Sequence, residues 1–314
     1  MELFGQNYFR IRNESIIPSI GYGIKKTKVE HWGFKEVLTT QLIELRKISA
    51  NIYEIEISKS DFYKALHCDI ELFMNKCFVQ YNDFVVSKNN SSTWSFVTMY
   101  YLSFFSMTAF FRLMRKGFIF LQQDQARNLE NFSLAMYGTI ISVKPGNYYF
   151  SYNGESANGN IILNLSNKGE GVHKLSWIQL ENTIREFLPF CDADEKTIFQ
   201  SLLNYFIYFK SEFPSHLRNK LNYHGDSSLL DLDKKLINKD LKFEERDLIR
   251  GILSINNDSR LENQINAISF LSSFLFKYAN TLYNEYNTRS EFGKDFEKIR
   301  KDFFKLKGIS IFNN

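Results

Sequence analysis

Four prolines in 314 residues leave little to interrupt a helix. Proline lacks a backbone donor and clashes with the turn before it, so its scarcity favours long helices over a sandwich of short strands. The length allows a sizeable core, in one large domain or two small ones. Aromatic residues make up 16% of the chain, with 31 Phe and 17 Tyr to fill that core. A net charge of +4 permits a nucleic-acid partner without demanding one.

Cys68, Cys77 and Cys191 are far apart in sequence. No pair has the short spacing of a zinc site, and an odd count argues against a secreted disulfide framework. No metal and no cofactor are expected, and a reducing, cytoplasmic setting is. The first five residues lack the basic-then-apolar design of a signal peptide. From Trp94 to Phe111 no charge occurs, and Arg112, Arg115 and Lys116 follow at once. Serines, threonines and tyrosines are scattered through that run, so it reads as a buried core helix rather than a membrane span.

Residues 1–35 read as irregular, 36–50 as a helix, and 52–57, alternating apolar and acidic, as a half-buried strand. Ser60-Asp61 suits the cap of a helix over 62–82. The polar loop 87–93 divides an N-terminal α/β extension (1–90) from a helical domain (91–314). Phe96, Tyr100, Ser103, Met107, Phe111 and Met114 then step by three or four, one buried face of a long helix. Gly117 is placed to end it, with another helix over 121–136. Residues 138–175 are rich in glycine and asparagine and hold three short apolar runs at 139–143, 148–152 and 161–165, expected as an inserted β-hairpin or meander. Helices are expected again at 176–189, 193–212, from Phe213-Pro214, and at 243–254, 259–287 and 290–306. The tail 277–307 reads as amphipathic with a solvated basic face.

The segment with most chemistry runs from Pro214 to Asp226. Gly225 suits the position after a helix end, which sets His224 in the last turn. The negative end of the helix dipole there favours imidazolium and a pKa at or above the free value. Such a histidine can serve as general acid or base near neutrality. Arg218, six residues earlier, lies roughly a third of a turn round the helix. The pair would share a cleft only if it were wide or if a second subunit supplied the other wall. Arginine would hold a scissile phosphate, histidine would take the ribose 2′-hydroxyl proton, and Asn219 would orient either.

Arg218-Asn219 followed by His224-Gly225, with five residues between the arginine and the histidine, resembles the signature of the HEPN superfamily: arginine, a polar residue, then histidine after a short gap. Trp94, Tyr100-Tyr101 and Phe104-Phe105 resemble the aromatic first helix of many such domains. The resemblance spans about 91–260. It implies a helical bundle, a homodimer, and metal-independent cleavage of RNA as a toxin or antiphage-defence effector, restrained by an antitoxin or other partner protein. Some HEPN proteins have lost activity, so the alternative is an inactive scaffold that binds RNA or protein.

His216, Lys220 and Tyr223 are candidate RNA contacts. The plainer readings are a solvated helix face for the first two and a packed ring for the third. His31, His67 and His173 fall in unrelated segments, with no partner at ligand spacing. Gly21-Tyr22-Gly23 lacks the strand and helix that a phosphate loop requires.

Overall fold

The computed structural model describes residues 4–23, 33–87, 91–223, 244–258 and 260–306. Helices dominate, and one antiparallel sheet accompanies them. In chain order come α1 (Gln6–Ile11), a π turn (Arg12–Ile16), α2 (Ile17–Ser19), α3 (Phe34–Thr40), β1 (Leu42–Ser49), β2 (Ile52–Ile57), α4 (Lys59–Ser87) and α5 (Ser92–Leu113). They are followed by β3 (Lys116–Leu121), α6 (Gln123–Tyr137), β4 (Gly146–Glu155), β5 (Ile161–Asn167), α7 (Val172–Phe187), α8 (Ala193–Phe209) and α9 (Phe213–Tyr223). The remaining helices are α10 (Glu245–Leu253), α11 (Leu261–Arg289) and α12 (Gly293–Leu306).

The long helices form where the sequence pattern puts them, with one cap displaced. The Ser58 hydroxyl accepts from the Asp61 backbone N–H at 3.1 Å, so α4 begins ahead of the expected Ser60-Asp61 cap. At α5 the Ser91 side chain accepts from Trp94 N–H at 3.3 Å, the standard way to satisfy a first-turn donor. Tyr100, Leu102, Met107, Ala109 and Phe110 of α5 are all buried, so the helix is covered on more than one side. Its hydroxyls bond within the protein: Ser103 to Met99 O and Thr108 to Phe104 O. Among the described residues no helix is long and apolar enough to cross a membrane.

Four expectations need correction. Residues 6–22 are helical where an irregular stretch was expected. The 36–50 helix stops at Thr40, and 42–49 is strand β1, paired antiparallel with β2. Backbone pairing with that partner, and burial of Leu45 alone, outweigh the mild helix propensity of Leu42–Lys47. The stretch 139–143 is not a strand; its Val143 and Ile141 amides are taken by the Glu130 carboxylate and the Ser133 hydroxyl of α6. The third strand of the 116–167 region is β3, immediately after α5, where only a helix end was expected.

The sheet order is β1-β2-β5-β4-β3, so one sheet takes strands from both sides of the 87–93 loop. Gly117, at φ +141°, makes the join between α5 and β3 possible. A Cβ there would strike the Arg112 guanidinium, which instead donates to Lys116 O and Phe118 O and pairs with Asp69 at 2.5 Å. Arg112, Arg115 and Lys116 are thus all buried. At the far end of the chain α12 is amphipathic, yet one of its cations faces inward. Arg300 is buried and joins Glu71 and Tyr283.

Candidate functional site

Helix α9 divides the expected site residues between two faces. Pro214, Ser215, Leu217 and Arg218 face inward, while His216, Asn219 and Lys220 are exposed. The outer three fall at positions i, i+3 and i+4, one stripe of a helix. Tyr223 is the last helical residue; its side chain, and the whole of His224, lie outside the described residues, as does His31. Asn219 does not share the surroundings of Arg218, because the helix turns about 100° between neighbours.

Arg218 is 7% exposed. Its guanidinium carbon lies 5.2 Å from the Tyr100 ring centre and 5.6 Å from that of Tyr101, stacking distances for a cation on an aromatic face. Among the described residues it forms no ion pair with a carboxylate, and its Nε has no hydrogen-bond partner. Two other buried arginines have a carboxylate partner: Arg112 meets Asp69 and Arg300 meets Glu71. Arg115 is placed much as Arg218 is, 3.7 Å from the Tyr152 ring centre with its Nε also unpartnered, and it donates to the Tyr63 hydroxyl at 3.3 Å.

The same cluster contains His173, from the first turn of α7, which had no evident partner in the sequence. Its Nδ1 lies 3.1 Å from the Tyr100 hydroxyl. Its ring packs 4.2 Å from that of Phe104 and edge-on to Tyr101. Burial, and then the Arg218 cation, push the His173 pKa down to about 4. The positive end of a helix works in the same direction. The ring is therefore neutral at neutral pH and able to accept or donate one hydrogen bond at each nitrogen. Tyr100 is held in its neutral form by burial, an effect opposed by Trp177, Ser215 and Arg218 beside it.

The aromatic doublets of α5 were the signal for this site. Tyr100-Tyr101 and Phe104-Phe105 repeat at a spacing of four, which lays a row of rings along one helix side. Nothing in the spacing from residue 173 to residue 218 announces that α7 and α9 both pack on that row.

Among the described residues no group of three His, Cys, Asp or Glu is arranged to hold a metal ion. The thiols of Cys68, Cys77 and Cys191 are free and are pushed up to about 12, chiefly by burial; a protonated thiol is a poor nucleophile. His67 is enclosed by the Tyr286 and Phe296 rings, a core position. No family model, no curated protein and no solved structure matches this chain.

Proposed function

We propose that the protein is a metal-independent endoribonuclease of the HEPN type, acting as a homodimer in toxin or antiphage defence. One observation carries the reading. Arg218 is buried and stacked on two tyrosines, and among the described residues no carboxylate meets it. An unpaired buried cation is costly to keep and gives a ready site for an anion. Arginine suits phosphate in particular, since its planar fork of donors matches two phosphate oxygens.

In this reading Arg218 binds the scissile phosphate and stabilises the charge that develops on it. His224, six residues further along the chain, takes the proton of the ribose 2′-hydroxyl. The 2′-oxygen bonds to phosphorus, the bond to the 5′-oxygen breaks, and that oxygen collects a proton from the second histidine of the dimer. The products are a 2′,3′-cyclic phosphate and a 5′-hydroxyl. Asn219, on the outer stripe with His216 and Lys220, orients the neighbouring phosphates, and Tyr223 stacks on a base. DNA has no 2′-hydroxyl and survives.

The test is cleavage of unpaired RNA by the purified protein in the presence of a chelator. The unaltered protein should yield cyclic-phosphate ends, His224→Ala should yield none, and both should elute as dimers. Full cleavage by His224→Ala, or cleavage abolished by the chelator, refutes the assignment. RNA retained by the protein with no cut ends under any condition is the outcome for a binding scaffold.

A further inference from the structure

A cavity of about 210 Å³ opens between α4, α5, β3 and the start of α7. Phe73, Phe104, Phe111, Phe118 and Phe120 form most of its wall. The Ser176 side chain, Thr108 and Asn147 supply its polar edges. The Asn147 amide nitrogen already donates to Glu170 O at 2.7 Å, so its carbonyl oxygen remains as an acceptor. For scale, an apolar cavity of roughly 150 Å³ accepts benzene, so this one is large enough for a flat heterocycle.

We infer that this cavity receives an unpaired nucleobase from the RNA strand whose phosphate Arg218 holds. Three features select that occupant. First, rings on several sides suit a flat aromatic guest, and single-stranded RNA is commonly held by stacking splayed bases on such side chains. Second, the few polar groups are suited to the edge of a base rather than to a lipid or an alkyl chain, which would leave them unmatched. Third, one cation lies beside the cavity, and a second is joined to its wall through packed rings. The Lys76 ammonium sits 4.9 Å from the Phe73 ring centre and 5.3 Å from that of Phe105. On the other side Phe104, part of the wall, packs on His173, which touches Tyr100 beneath Arg218. The row of rings along α5 therefore links the base site to the phosphate site.

The inference rests on the ribonuclease reading for its strand, and its test separates the two. Phe120 is 51% exposed at the sheet edge, so Phe120→Ala removes a wall without opening the core, and Ser176→Leu fills the space. Binding is measured for a labelled unpaired oligoribonucleotide, with adenosine monophosphate and inorganic phosphate as competitors, and folding is checked by the urea midpoint. Each variant should bind the oligonucleotide about fivefold or more weakly, the loss expected of one stacked base. Each should lose adenosine monophosphate in parallel and keep its affinity for inorganic phosphate. Unchanged oligonucleotide binding by Phe120→Ala, with the urea midpoint preserved, overturns the inference, as does adenosine monophosphate that fails to compete. An absence of cleavage alongside weakened binding by both variants refutes the nuclease reading and supports the base site.

Discussion

Replacing Arg218 with methionine separates a structural arginine from a functional one, because the two roles predict opposite signs. A buried charge exchanged for an apolar side chain of similar volume commonly gains about 1–4 kcal/mol. Against this stands the stacking on Tyr100 and Tyr101, worth about 0.5–2 kcal/mol. Methionine keeps an unbranched stem that fills the same groove. The balance is a stabilisation of about 1 kcal/mol. In a chain of 314 residues with an unfolding entropy of about 2.1 cal/mol/K per residue, that raises the melting temperature by about 1.5 °C. The assay is urea denaturation with and without phosphate. At about ten times its dissociation constant, phosphate should stabilise the unaltered protein by about 1.4 kcal/mol and Arg218→Met by less, the remainder being general salt exclusion. Because the Arg218 cation helps depress His173, the imidazole should also titrate at higher pH in the variant. A loss of more than about 2 kcal/mol, with equal phosphate responses in both proteins, would make Arg218 a packing residue and remove the basis of the proposed site.

Two further outcomes follow from the buried groups. His173 titrates at about 4 in the fold against 6.5 as the ordinary value, so the unfolded chain takes up its proton first as pH falls. Its contribution is complete above pH 6.5 and is lost as pH drops toward 4. At about 1.4 kcal/mol per unit, and halved for its partly open side, the loss is ~1–2 kcal/mol. The stability difference between the unaltered protein and His173→Phe, read from urea midpoints, should change by that amount across the window, and parallel curves would refute the assignment. Glu71→Ala should cost about 3–5 kcal/mol, since it strands the buried Arg300 cation. Its carboxylate also accepts from the Tyr283 hydroxyl at 2.9 Å. A change below about 1 kcal/mol in the urea midpoint would show that α12 is held by other contacts.

Helices were legible in this sequence because their period is written along one segment. Phe96, Tyr100, Ser103, Met107 and Phe111 share a face whatever the rest of the chain does. Strands were harder, since Leu42–Ser49 owes its form to a partner. Ile55 and Tyr53 of β2 lie opposite Leu45 and Lys47, and local propensity is silent about that neighbour. The candidate site shows the same division. Arg218 stood out through the residues around it, whereas His173 joins the cluster only because α7 and α9 meet α5 from different directions. A histidine with no partner within ten residues carries no mark of one that is much further away.

The two faces of α9 make different demands on an RNA ligand, and salt distinguishes them. Lys220 and His216 are exposed, so a phosphate beside them stays hydrated and the attraction is mainly the release of counterions. Lys220→Gln should therefore reduce the slope of log affinity against log salt by about 0.7, the single-strand value per phosphate contact, with little loss at high salt. Arg218 sits out of water on its tyrosines, where a contact is far less screened. Arg218→Met should lower affinity at every salt concentration, and an oligonucleotide series from low to high salt reads both. If Lys220→Gln leaves the slope unchanged, the outer stripe takes no part in binding. If Arg218→Met matches the unaltered protein at high salt, its guanidinium meets no phosphate, and the RNA passes over the outside of α9 alone.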